Sequence, residues 1–112
     1  MPFPVRHLAR LAILAAAGAV TGTAFAQAAA APNPHLGRNL AATCANCHGT
    51  NGQARGDMKQ LAGVSAEKIV AMMADYKSGN QPATIMHQIA KGYTDEQIKL
   101  IAAYFAAQPA KK

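Results

Sequence analysis

Cys44-Ala45-Asn46-Cys47-His48 is the stretch from which the rest of the chain can be read. Two cysteines three positions apart, with a histidine directly after the second, form the attachment signature of a c-type haem. Each thiol can add across one vinyl group of the porphyrin, and two intervening residues let both sulfurs reach its edge from one turn of backbone. His48 then lies under the iron as its proximal ligand. One short segment thus makes three bonds to one cofactor.

A Cys-x-x-Cys pair without the histidine would read equally as a thioredoxin-type dithiol or as half of a zinc site. The dithiol reading needs a strand before the motif and a βαβ pattern around it, and the chain shows no strand-like alternation of any length. A four-ligand zinc site needs a second cysteine pair or a spaced histidine pair, and Cys44 and Cys47 are the only cysteines. A disulfide between them would close so short a loop that it restrains little chain. One covalent haem c is the expected cofactor.

The chain opens Met-Pro-Phe-Pro-Val-Arg-His-Leu-Ala-Arg, with Arg6 and Arg10 and no acid, and then runs apolar from Leu11 to Phe25. This is the pattern of a secretory signal peptide over residues 1–26, with Ala24-Phe25-Ala26 as the small-x-small cleavage site. A transmembrane anchor fits less well, because the run is rich in alanine and glycine and barely long enough to span. Cleavage leaves 86 residues from Gln27 to Lys112 in the periplasm, with no membrane segment. That length makes one small domain with a marginal core unless something staples it, and a buried haem is such a staple. The mature part carries nine Lys and Arg against five Asp and Glu. These basic residues are scattered with few aromatics between them, which argues against nucleic-acid binding. Scattered charge of this kind is more often simply solvated, although near an exposed haem edge it can steer docking to an acidic redox partner.

Residues 27–34 read as a flexible leader, and 35–109 as the haem domain. Asn33-Pro34 offers an N-cap followed by proline at the first helical position, and a short helix is expected from there to Thr43 with Leu36 and Leu40 inside. Gly37 on that helix can allow close approach of another. Gly49 to Gly63 contains glycines at 49, 52, 56 and 63 and reads as loop. It can wrap the porphyrin edge, with Asn51, Gln53 and Arg55 facing the haem carboxylates or water. Ser65 is an N-cap with Glu67 in the first turn and Gly79 as the stop. Between them, Ile69, Met72, Met73 and Tyr76 form one buried stripe. Thr84 to Gly92 reads as one or two helical turns. Thr94 with Gln97 is a capping box, and Ile98, Ile101, Ala102 and Phe105 mark the last amphipathic helix, ended by Pro109. The expected class is small and all-α, with three to five helices around one covalently bound haem.

A low-spin electron-transfer haem takes a second axial ligand, usually methionine sulfur. Met58, Met72, Met73 and Met86 are the mature candidates. Met72 and Met73 belong to a core stripe, and Met58 is a lone residue in a loop. Met86 lies 38 residues after His48, behind Pro82 in a short segment between two longer helices, where it can fold back over the open haem face. His35 and His87 are rivals. His35 precedes the attachment site too closely to cross easily, and His87 points about 100° away from Met86 on a helix; both are expected at the surface.

With these features the mature chain resembles a class I cytochrome c. Such a resemblance implies that the first and last helices cross near Gly37, Leu40, Ala102 and Tyr104. Lys77-Ser78-Gly79, Thr84-Ile85-Met86 and Ile89-Ala90-Lys91-Gly92-Tyr93 further resemble the cytochrome subunit of flavocytochrome c sulfide dehydrogenase. In that family the matching methionine binds iron, and a flavoprotein partner oxidises sulfide at its FAD and passes electrons to the haem. Many relatives place a proline near Leu61-Ala62-Gly63, whose carbonyl accepts the proximal imidazole N–H; Lys59-Gln60 stand here instead, with a backbone carbonyl still available. Relatives also have glycine where this chain has His87. The expected function is single-electron transfer, as a subunit of a sulfide-oxidising flavoenzyme or as a free diffusing carrier to an oxidase or reductase. A haem-based ligand sensor would instead need an open sixth site. No catalytic acid, base or nucleophile is evident.

Overall fold

The computed structural model describes residues 31–110. The expected signal peptide and the start of the leader lie outside them. Five α-helices follow in order: α1 (Leu36–Ala41), α2 (Ala45–His48), α3 (Ala66–Ser78), α4 (Met86–Lys91) and α5 (Asp95–Ala106). Two 3-10 turns, Ala42–Cys44 and Thr50–Gly52, flank α2. No strand occurs among the described residues.

The first helix departs from expectation at both ends. It begins at Leu36 with His35 in the capping position, because Asn33 closes a separate turn. Its Oδ1 accepts the His35 N–H at 2.9 Å and its carbonyl accepts the Leu36 N–H at 3.1 Å. Nor does the helical path stop near Thr43. It continues through the 3-10 turn into α2 and halts at Gly49, whose φ of 78° no side-chain-bearing residue adopts readily. The segment that carries Cys44, Cys47 and His48 is therefore helical throughout.

The longer helices follow their local signals. Ser65 Oγ accepts the Lys68 N–H at 3.4 Å, and Gly79 takes the left-handed cap of α3. Thr94 Oγ1 accepts the Gln97 N–H at 3.2 Å while Gln97 Oε1 accepts the Thr94 N–H at 2.9 Å, completing the capping box of α5. The α5 helix ends at Ala106, ahead of Pro109. There Gln108 Nε2 donates to the Tyr104 carbonyl at 2.9 Å, satisfying one of the helix's last acceptors before the proline is reached. Lys77 and Asp95 join α3 to α5 at 2.9 Å. The lysine's hydrogen bond and charge hold the Asp95 carboxyl below its ordinary value, but so exposed a pair contributes little to stability.

Helices α1 and α5 make the most extensive helix contact. Gly37 permits it: a Cβ there would stand 2.8 Å from the Leu100 carbonyl oxygen and 3.7 Å from Tyr104 Cβ. The core is built from Ala41, Ile69, Met73, Tyr76, Ala90, Ile98, Ile101, Ala102 and Phe105. Phe105, 1% exposed, is the large side chain most completely enclosed. Phe105→Ala should destabilise the haem-loaded protein by about 3–5 kcal/mol, read from denaturant unfolding at unchanged slope. A loss below about 1 kcal/mol would mean that the site collapses to fill the gap.

Candidate haem site

Cys44 ends the first 3-10 turn and Cys47 lies in α2, so helical spacing puts their side chains on neighbouring ground. Both are free thiols; Cys44 is half-buried and Cys47 is exposed. Burial pushes the Cys44 thiol up, so it stays protonated at neutral pH.

His48 closes α2, half-buried. Its Nδ1 lies 2.7 Å from the Lys59 carbonyl oxygen. A carbonyl can only accept, so Nδ1 carries the proton, and a neutral ring then presents the Nε2 lone pair to a metal. The acceptor is a backbone group, so the lysine side chain at 59 takes no part in it. The loop holds that carbonyl through several bonds that no sequence pattern announced. Gly52 accepts the Leu61 and Ala62 N–H groups at 2.9 and 3.0 Å, and Gly63 N–H donates to the Phe105 carbonyl at 3.0 Å. Gln60 Oε1 accepts the Ala54 N–H at 2.9 Å. Gly52 must be glycine, because its φ is 77° and a Cβ would meet Phe105 Cδ1 at 2.7 Å.

Of the polar loop residues, Gln53 and Arg55 line an open hollow of about 530 Å³ together with Cys47. Asn51 does not take the role expected of it. Its Oδ1 accepts the Tyr104 O–H at 2.6 Å, and it holds a left-handed turn at φ 56°.

Met86 is the first residue of α4 and lies half-buried at the margin of the same core that Cys44 borders. Met73 is inside the core, Met72 is at its edge, and Met58 is 44% exposed in the loop. His35 is exposed, as expected. His87 differs from expectation: it is half-buried beside Tyr76, Lys77 and Lys91, and its Nδ1 is enclosed without a hydrogen-bond partner.

The residues present fit a haem. Ile85 and Ile89, flanking Met86, are 54% and 37% exposed although apolar, a surface that a flat apolar group would cover. Two thiols and an imidazole with a fixed tautomer supply the attachment and donor chemistry. No group of three or more His, Cys, Asp or Glu among the described residues is placed to hold a bare metal ion. No helix among the described residues is long and apolar enough to cross a membrane.

A small all-α domain with a Cys-x-x-Cys-His helix and an oriented histidine defines a carrier of a single covalent haem. The chain belongs to the cytochrome c family, whose model matches residues 34–108, and it is accordingly an electron-transfer protein with haem c rather than an enzyme in its own right. It is 40% identical over 101 residues to the cytochrome subunit of sulfide dehydrogenase from Chlorobaculum tepidum, a match covering 88% of this chain and 92% of that protein. It is 33% identical over 90 residues to cytochrome c4 from Pseudomonas aeruginosa, covering 80% of this chain but 43% of the relative. Among solved structures, cytochrome c4 of Acidithiobacillus ferrooxidans superposes with a TM-score of 0.58 at 30% identity, over 64% of this chain and 49% of that one.

Proposed function

We propose that Cys44 and Cys47 hold the haem through two thioethers, that His48 and Met86 are its axial ligands, and that the protein serves in the periplasm as the electron-accepting subunit of a flavocytochrome c sulfide dehydrogenase. The observation that carries this reading is the likeness to the Chlorobaculum tepidum cytochrome subunit along 92% of that protein's length. The partner is then an FAD-containing flavoprotein. The second reading is a free diffusing carrier to an oxidase or reductase.

The bound haem supplies one-electron Fe(III)/Fe(II) chemistry. His48 contributes an imidazole whose plane and tautomer are set by the Lys59 carbonyl, and a hydrogen bond of this kind raises the basicity of the ligating nitrogen. Met86 contributes a soft thioether, a donor that raises the potential of a haem iron. Ile85 and Ile89, close to Met86 in sequence, add exposed apolar surface for the haem to cover. The His48 Nδ1–H donates to the Lys59 carbonyl, which leaves Nε2 free to face the iron. The excess of basic residues in the mature chain, Lys59 and Lys91 among them, attracts an acidic redox partner and accelerates encounter.

The test is a visible spectrum taken across the size-exclusion peak of protein purified natively from its host. Flavin absorbance co-eluting with haem at a mass well above one domain is the expected result. Haem alone at monomer mass, at protein concentrations above any plausible complex dissociation constant, would replace the subunit reading by the diffusing carrier.

A further inference from the structure

Thr43 Oγ1 and Tyr93 Oη lie 2.7 Å apart, although the residues are 50 positions apart in sequence. The direction of the bond can be assigned. Thr43 Oγ1 also lies 3.3 Å from the Leu40 carbonyl, which can only accept, so the one threonine proton points there and Tyr93 O–H donates to Thr43. A short relay therefore runs from Tyr93 through Thr43 into the backbone of α1.

The two ends of this bond belong to the two parts of the chain that grip the cofactor. Thr43 immediately precedes Cys44. Tyr93 follows Gly92, the cap of α4, and its N–H donates to the Ala90 carbonyl at 3.3 Å. Ala90 is fully enclosed, and the Tyr93 ring packs at the margin of the same core. Any movement of the tyrosine hydroxyl is thus passed to the helix that opens with Met86. Among the described residues, this is the side-chain hydrogen bond that joins the attachment segment, 42–48, to the segment 86–93.

We infer that Tyr93 is a positioning residue for the sixth ligand: its bond to Thr43 limits how far α4 can swing from the attachment helix, and so keeps the Met86 thioether on the iron. The inference rests on the Met86 reading above. A thioether binds ferric iron weakly, so its occupancy depends on how tightly the helix carrying it is held. Loss of the tie raises the share of protein with an open sixth site without removing a ligand.

The experiment titrates the ferric holoprotein with imidazole, which competes with the thioether, and follows the sulfur-to-iron charge-transfer band. Global unfolding by denaturant is measured in parallel. Tyr93→Phe and Thr43→Val should each tighten imidazole binding about two- to tenfold, the ratio one ordinary hydrogen bond supplies. Thr43→Ser, which keeps the hydroxyl, should match the wild type, and the double variant should match either single one. The inference is overturned if Tyr93→Phe shifts unfolding but leaves imidazole affinity within twofold of wild type, or if the two changes add. A wild-type ferric protein without the band would overturn the Met86 reading itself, and a normal wild-type band with an unaltered Tyr93→Phe titration would overturn only the tie.

Discussion

With both Cys44 and Cys47 changed to serine, the protein loses its covalent haem and, with it, its fold. Serine is close in size and keeps the helix, but its hydroxyl does not form the thioether. The ligands proposed above, His48 and Met86, would then have to hold a cofactor that can dissociate. The protein has little else to replace it. Phe105 is the one large side chain wholly enclosed among the described residues, while Ile85, Ile89 and Met58 remain substantially exposed. A domain of this size has a net stability of about 5–15 kcal/mol at most, and a haem buries apolar surface on both faces of a disc at about 25 cal/mol per Å². Removal of that cover should leave the chain largely unfolded at 25 °C. Denaturing electrophoresis with a haem stain should show no band, and far-ultraviolet circular dichroism should show loss of most helix signal. A cooperative thermal transition in haem-free double variant would show that the polypeptide core suffices. Single cysteine variants should retain haem through one thioether and fall between these limits.

Met86→Ala should leave haem attached and the fold intact while abolishing the sulfur-to-iron charge-transfer band of the ferric protein. Met86 is half-buried at the core margin, so truncation removes the proposed ligand at modest packing cost. The reduction potential should fall by on the order of 0.1–0.3 V, a fraction of the roughly 0.8 V range that axial ligands command, and ferrous protein should bind carbon monoxide rapidly at neutral pH. Met58→Ala should leave band and potential at wild-type values. Retention of the band in Met86→Ala with its loss in Met58→Ala would move the ligand to the loop. Rapid and complete carbon monoxide binding by the wild type would point to an open sixth site and a ligand-binding role.

The site geometry also explains why a lysine at position 59 is compatible with a well-ordered proximal histidine. What His48 requires is a carbonyl oxygen at a fixed place, and the Gly52, Gln60 and Gly63 bonds hold the backbone there without help from a proline ring. The packing of Gly52 against Phe105 restricts the same stretch of backbone.

Sequence by itself determined the all-α class, the haem c cofactor that a Cys-x-x-Cys-His motif calls for, and the ends of α3 and α5. These features are local: the motif is five consecutive residues, and the Ser65, Gly79 and Thr94–Gln97 caps close hydrogen bonds within four positions. The helix α1 start was misplaced by the same logic, because Asn33 has two local turns open to it and took the earlier one. Tertiary structure alone decided the partners of Asn51 and Tyr93, and it fixed the atoms behind two contacts the family resemblance implied, that of His48 with a nearby carbonyl and that of Gly37 with the last helix. The carbonyl of Lys59 carries no side-chain signature, since every residue has one. Asn51 meets Tyr104, and Thr43 meets Tyr93, across about half the chain, and Gly37 meets the Leu100 backbone only once α1 and α5 have crossed. His87 is half-buried for a related reason: the end of α3 and the 79–83 segment fold against it beside Lys91 of its own helix. Burial of the shared apolar core brings these pairs together, and their polar bonds then form at whatever positions the packing has placed face to face.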